Sequence, residues 1–449
     1  MEETKNKKNI IYLHCHDTGR YIQPYGYAVC TPNLQRMAEK GLLLRNLHCA
    51  SPSCSPSRAG LLTGMYPHCA GMMGLVNRGF ELEQKQCHLA SYLKAYGYIS
   101  ILAGIQHVTR DRDGIEYDRI LEVEGIDSVT MAENALNALD EIKGEPFFLD
   151  LGFADTHRPF EGDNLNMNPS YVRPPEPLPD TPETRQDMAD FMAEAKRFDQ
   201  AVGVCMEGLE KRDLLEASII ICTTDHGIAF PGMKCNLTQF GTGVFGILVC
   251  PSLISSGTVS DALASQIDFL PTICDMIGIP IPSYAQGRSL LPIIRKPEGR
   301  IRGKVFAEIN YHCSYEPQRM LRTEKWLYIR RYTDKDTIYC ANCDEGLSKD
   351  LFLSQGWQHK KVEKEQLYDL MFDPMERNNL AGKKEYADVL FQMRKEMDKW
   401  QDETNDPIRL GRIKNLCTNT EDGNIFVSED EDVNTFDLWT RRRRPEGYA

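Results

Sequence analysis

The sequence predicts an α/β protein, with a mostly parallel sheet between helices followed by a smaller α+β unit. Short β-branched apolar runs alternate with amphipathic segments over the first 300 residues, the pattern of strands joined by covering helices. Near residue 300 that alternation gives way to closely spaced apolar runs of antiparallel character. The chain has 449 residues, 41% of them hydrophobic, enough for one large core and one small one. Residues 1–300 are therefore taken as the main, site-bearing domain and 301–449 as a C-terminal subdomain.

The elements follow in order. Residues 9–15 form a buried strand that ends in polar groups, and 32–40 a short helix with Thr31 at its N-cap and Pro32 in its first turn. A helix near 88–95, a strand at 98–103, a helix at 129–142 and a strand at 147–153 come next. A proline-rich segment, 171–182, leads into a long helix to about Leu209. Strands at 218–223 and 244–250 and a helix at 265–277 complete the first domain. The subdomain has short strands at 305–309, 318–323 and 326–331 and a terminal helix at 385–400. Ligands of parallel sheets bind beyond the carboxyl ends of the strands. This brings together the polar residues after Cys15, after Phe153 and after Thr223.

Composition narrows the partners. A net charge of −13 disfavours non-specific binding to nucleic acid or anionic lipid; the four arginines at 441–444 read equally as an exception to this and as a solvated tail. No apolar stretch of signal-peptide length opens the chain, and no run of about 18 apolar residues marks a membrane span. The fifteen cysteines show no disulfide-framework spacing, and Cys340 and Cys343 lack a second pair to complete a zinc site. Reduced thiols and a cytoplasmic location are expected.

The most informative stretch is Ser53-Cys54-Ser55-Pro56-Ser57-Arg58-Ala59-Gly60-Leu61-Leu62-Thr63-Gly64. Pro56 sets up a helix N-terminus, where backbone N–H groups and the helix dipole favour an anion. Arg58 adds a permanent fork of donors able to hold an oxyanion or an activated hydroxyl. The bland alternative is a proline-initiated helix behind a buried cysteine, and the polar groups at other strand ends weigh against it. His16-Asp17 and Asp225-His226 offer two carboxylates, which suit calcium or magnesium, and two imidazoles, which shift the preference toward manganese, zinc or iron. His16 reads equally well as a ligand and as a hydrogen-bonding group for substrate. His157 has the residue type of a general acid near neutral pH, with Asp155 placed to orient it.

With these pieces the sequence resembles the type I sulfatase family, and within it the heparan N-sulfatase (sulfamidase) branch and bacterial relatives. Residues 53–64 match its C-x-P-x-R-x-x-x-x-T-G signature. Further blocks are Thr31-Pro32-Asn33-Leu34, 146–159, 223–231 with Asn236, and Leu367-Tyr368-Asp369-Leu370 with Asp373-Pro374 and Asn379-Leu380. The resemblance implies an alkaline-phosphatase-like α/β/α core with a C-terminal four-stranded subdomain. It implies conversion of Cys54 to formylglycine by a maturation enzyme; the hydrated aldehyde offers one hydroxyl to attack sulfur and a second to expel sulfate. The implied metal group is His16, Asp17, Cys54, Asp225 and His226, holding one divalent cation, Ca2+ by family and Mn2+ or Zn2+ given the histidines.

Catalysis would rest on Cys54, Arg58, His107 and His157. Gly104-Ile105-Gln106-His107 stands where many relatives carry G-K-x-H, so Ile105 replaces a sulfate-binding lysine, and Lys234 is the compensating cation. Lys234, His312 and Arg319 would contact substrate, with Glu316 on the same sugar-facing segment. The implied reaction is hydrolysis of a sulfate ester or sulfamate on a glycosaminoglycan-derived saccharide, exo-acting, the N-sulfo group of glucosamine first. The alternatives are a phosphonate monoester hydrolase or phosphodiesterase of the same superfamily, and a non-catalytic saccharide-binding protein with unmodified Cys54.

Overall fold

Strand β1, Asn9–Cys15, is buried at every position because it lies inside the main sheet with helices on both faces. The structure, a computed structural model, describes residues 7–123, 126–142, 144–160, 167–411 and 413; the arginine run at 441–444 lies outside them. Alternate side chains of β1 enter different layers, as the two-residue strand period requires. Ile10 and Tyr12 pack with helices Cys54–Thr63, Leu89–Lys94 and Phe269–Ile277, whereas Ile11 and Leu13 pack with Ser128–Leu139 and Pro182–Lys211.

The other strands are β2 (Leu42–Leu44), β3 (Leu47–His48), β4 (Ile99–Gly104), β5 (Arg119–Ile120), β6 (Phe147–Gly152), β7 (Ser218–Thr224), β8 (Gly246–Val249), β9 (Thr258–Ser260) and β10 (Ala264–Ser265). The main sheet runs β5-β4-β6-β1-β7-β8-β2-β9, and β3 pairs with β10 beside it. All neighbours are parallel except around β8, which is antiparallel to both β7 and β2. Register sets His14 opposite Gly152, Gly152 opposite Gly104, and Cys15 opposite Thr224. The chain therefore leaves β1, β4, β6 and β7 at one common edge, and the polar residues after those strands meet there.

The subdomain sheet is antiparallel, β11 (Lys304–Tyr311), β12 (Tyr315–Thr323), β13 (Trp326–Arg331) and β14 (Glu365–Asp369) in that order. Strand β14 carries the Leu367-Tyr368-Asp369 block, which pattern reading assigned to no strand. One face, with Val305, Ala307, Met320 and Ile329, covers Leu237 and Leu263 of the first domain. The other, with Phe306, Leu321 and Tyr328, packs on helix Ala387–Glu403, where Phe306 and Trp400 stack at 4.8 Å. No helix among the described residues is long and apolar enough to cross a membrane.

Local capping departs from expectation in two places. Thr31 does not cap its helix with its side chain; the Asp199 carboxylate does so from the long helix, accepting from Asn33 N and Leu34 N at 3.2 and 2.8 Å. His88 is itself an N-cap, its Nδ1 accepting from Ala90 N at 3.2 Å. Burial pushes the His88 imidazole down to about 4, so it stays neutral in the fold while the unfolded chain takes up a proton below about 6.5. Its stabilising contribution is thus complete above about 6.5 and is lost as pH falls toward 4. Between pH 7 and 5 the protein is expected to lose about 2 kcal/mol more stability than its His88→Asn variant, as measured by urea denaturation.

Candidate active site

Cys54 is the first residue of helix Cys54–Thr63, every position of which is buried. Ser53, the N-cap, keeps its hydroxyl off the helix and pairs instead with His312 Nδ1 at 3.0 Å. The first-turn N–H groups at Cys54 are therefore left without that side-chain cap, facing the strand ends. Burial pushes the Cys54 thiol well above its ordinary value, against the pull of Lys234, so the unmodified residue is a neutral thiol. Its Sγ lies 3.3 Å from His226 Nε2.

Around that sulfur the strand ends deliver the other donors. Asp17 follows β1 with φ at 40°, a costly backbone for a non-glycine residue, which turns its carboxylate inward. Its Oδ1 is 3.3 Å from His226 Nε2 and its Oδ2 accepts from Lys234 Nζ at 2.8 Å. Asp225 follows β7; its Oδ1 accepts from the backbone of Asp17 and of His226, both at 2.9 Å. His16 Nδ1 is 3.3 Å from Asp225 Oδ2, but neither His16 nitrogen makes a hydrogen bond, and Asp17 Oδ1 makes none either. Asp17, Cys54, Asp225 and His226 offer atoms within 4.8 Å of one another, as do His16, Asp17, Cys54 and His157. Two carboxylates, imidazole nitrogens and buried polar atoms lacking partners fit a divalent cation.

The remaining groups ring this cluster. His157, after β6, turns its ring edge-on to His16 at 5.1 Å, and its Nδ1–H donates to the Arg158 carbonyl at 2.5 Å, leaving Nε2 for a ligand. Arg158 anchors the loop through paired bonds to Asp187 at 2.7 and 2.8 Å, with its guanidinium between Phe160 and Phe230. His107 also has a positive φ, 55°, and its ring is 6.2 Å from that of His16; burial, then the Arg58 charge, pushes it down to about 3. Lys234 is nearly inaccessible and bridges Asp17 and Asp344, each at 2.8 Å. Ile105 offers no charge, and the adjoining Gln106 only braces its own loop through the N–H groups of Val108 and Thr109.

Comparison with known proteins agrees with this geometry. The family profile described as "Sulfatase" matches residues 8–279, and that described as "N-sulphoglucosamine sulphohydrolase, C-terminal" matches 244–347. The chain belongs to the sulfatase family. Human N-sulphoglucosamine sulphohydrolase is 30% identical over 89% of this chain and 91% of its own. The Delta 4,5-hexuronate-2-O-sulfatase of Bacteroides thetaiotaomicron is 24% identical, covering 92% of each chain. A solved structure in complex with its substrate D-glucosamine-2-N,6-O-disulfate superposes with a TM-score of 0.70 at 19% identity, over 90% of this chain and 99% of the other. The sulfatase is a sulfuric ester hydrolase with the mixed sheet and C-terminal antiparallel sheet of its relatives.

Several residues of the sulfatase act differently from their sequence reading. Arg58 spends its guanidinium on structure: Nη2 donates to the Cys15 carbonyl and Asp225 Oδ2, both at 3.1 Å, and Nη1 meets His14 Nδ1. It positions the Asp225 carboxylate of the candidate cation cluster. His14, unnoticed inside a strand, continues the chain through Nε2 to Asp150 Oδ1 at 2.8 Å, and Asp150 accepts from the Tyr117 hydroxyl. Asp155 does not orient His157; it pairs with Ser128, and burial pushes its carboxyl up to about 6. Arg319 is corrected outright. It is fully buried, with Asp406 bound at 2.7 and 2.8 Å and Asn310 at 2.9 Å, and has no donor to spare for a sugar. Glu316 likewise serves Arg331 and Asn342.

Removing Arg319 takes the paired cation from the buried carboxylate of Asp406, whereas Glu308, 3.9 Å from Arg319, keeps its pair with His68. Arg319→Met is expected to cost about 3–5 kcal/mol in denaturant unfolding while KM for any accepted substrate stays within about twofold. A large KM change in the folded variant would return Arg319 to the binding site.

Proposed function

We propose that this sulfatase removes a sulfuryl group from a sulfated saccharide of glycosaminoglycan type, acting at a chain end, with the N-sulfo group of glucosamine as first substrate. The placement of Cys54 against His226 within the Asp17–Asp225 cluster, with His157 across His16, carries this reading. The human relative's name and the glucosamine disulfate bound by the structural neighbour support the choice of sugar.

Each side chain then has a task. Cys54, converted to formylglycine by a maturation enzyme, supplies a hydroxyl nucleophile at the head of its helix. Asp17, Asp225, His226 and residue 54, with His16 beside them, would hold a divalent cation, which would supply positive charge to the sulfuryl oxygens. Calcium is the family's ion, and the imidazoles bring manganese and zinc within range. Lys234 supplies the fixed positive charge that Ile105 lacks, and His107 contacts the hydrated residue 54. His157 Nε2 gives a proton to the leaving atom, with Nδ1–H anchored on the Arg158 carbonyl. His312 lines the same side through Ser53. The described cysteines are all free thiols, which supports a reducing, cytoplasmic setting.

The deciding comparison is kcat/KM on N-sulfoglucosamine, an aryl sulfate and a phosphonate monoester. The sulfur substrates are expected to lead. The histidine at the metal cluster favours the phosphonate as second reading, and a lead for that substrate would replace the first. In protein from the native host, the peptide containing residue 54 is expected about 18 Da below its cysteine mass, the thiol being replaced by the aldehyde. Cys54→Ala is expected to abolish turnover with unfolding unchanged; activity retained in that variant would end the nucleophile assignment. His157→Ala is expected to slow a sugar substrate by about 100-fold or more and an activated aryl sulfate far less. Equal slowing of both would show that His157 is not the acid.

A further inference from the structure

The polar cluster beside Cys54 includes a carboxylate that an anion-binding site does not need. Asp344 arrives from the C-terminal subdomain, on the loop between the short turn Cys340–Asn342 and helix Leu347–Ser354. Its Oδ2 is 2.8 Å from Lys234 Nζ, which Asp17 Oδ2 already engages at 2.8 Å. The Lys234 and Asp17 side chains are 2% and 0% exposed, whereas Asp344 keeps 22% of its side chain open although Oδ2 itself is covered. Among the described residues, Lys234 is the one ion-pair partner of Asp344. Burial opposes its charge, but Lys234, His312 and His157 hold the Asp344 carboxyl well below the usual carboxylate range, so it is an anion.

One carboxylate already neutralises Lys234. A second repels the incoming sulfuryl anion and bears its own desolvation, and its Oδ2 makes no hydrogen bond in return although it stands 2.8 Å from Lys234 Nζ. The group is explained if the other end of the substrate brings a compensating donor. Asp344 feels the charge of His157, the proposed proton donor to the leaving atom, which turns it toward that end. We propose that Asp344 determines specificity by accepting a hydrogen bond from the amino group of the leaving sugar, so that the site prefers amino sugars to neutral ones. The inference rests on the N-sulfoglucosamine reading and deepens it.

The chemistry is consistent with that role. When the S–N bond breaks, the sulfuryl group passes to the nucleophile at residue 54, and nitrogen keeps the bonding pair and takes a proton from His157. The hydroxyl proton that residue 54 loses in the attack passes to solvent, and the free amine takes up one proton from solvent and leaves as an ammonium ion. A carboxylate meets that ammonium in a charge-assisted hydrogen bond, roughly twice as strong as a bond between neutral partners. An alcohol leaving group stays neutral, so it has no charge of its own to offset the cost of Asp344.

Glucosamine and glucose, titrated as inhibitors of aryl sulfate hydrolysis by the matured enzyme, test the proposal. Glucosamine is expected to inhibit at about tenfold lower concentration than glucose, and Asp344→Asn to bring the two within about twofold. Equal inhibition by the two sugars in the unaltered enzyme overturns the proposal. So does an Asp344→Asn variant that keeps the preference. A variant that weakens both sugars and the aryl sulfate in proportion also overturns it, because Asp344 would then only position Lys234. N-sulfoglucosamine as substrate forms a separate arm. Preference for glucosamine through Asp344 without hydrolysis of N-sulfoglucosamine would refute the substrate reading and leave amine recognition standing.

Discussion

Arg58 Nη2 lies 3.1 Å from both the Cys15 carbonyl and Asp225 Oδ2, joining the nucleophile helix to the ends of two neighbouring strands. The guanidinium is almost wholly out of water, where an unpaired charge would be prohibitive. Burial therefore demands partners, and the partners fix the geometry. On one side stands Asp225, whose other oxygen collects the N–H groups of Asp17 and His226. On the other, His14 passes the contact to Asp150 and Tyr117 in the core. This one cation helps set the position of Cys54 relative to the carboxylates and imidazoles of the candidate cation cluster.

The two domains share the pocket. Ser53 of the nucleophile segment pairs with His312, and Lys234 with Asp344, so both subdomain groups stand against the first domain's catalytic edge. Backbone bonds reinforce the seam, from Glu308 N to the Ala50 carbonyl and from Tyr311 N to the Met73 carbonyl. Positive φ values at Asp17, His107 and Thr156 fall just beyond the ends of β1, β4 and β6, and another falls at Cys235 beside Lys234. Such backbones persist where surrounding packing over-determines them, and here they aim side chains at a common point.

Most of the central sheet was legible because β1, β6 and β7 are mainly apolar runs, the pattern of strands covered on both faces. The nucleophile segment was legible because chemistry restricts its residue types at set spacing. His14 was not, since one histidine inside an apolar strand carries no periodic signal. Strand β14 escaped because only Leu367 and Tyr368 of its five residues are apolar, too few to register an alternation. Arg319 was misread for a physical reason: an arginine on a sheet strand looks available until a distant residue, Asp406, arrives 87 positions later to bury it. Asp344 lies on an irregular loop, where pattern has nothing to register.

The sequence by itself determined the α/β class, the helix headed by Cys54, and the set of histidines and carboxylates from which a metal site could be drawn. Those properties are local: strand and helix periods, a proline-started turn, and side chains with one suitable chemistry. Only the tertiary structure decided which charges meet. It assigned Arg58 to Asp225, Lys234 to both Asp17 and Asp344, and Arg319 to Asp406. Buried charges must be paired, and their partners lie far away in the chain, so folding chooses among many candidates that sequence order leaves equivalent.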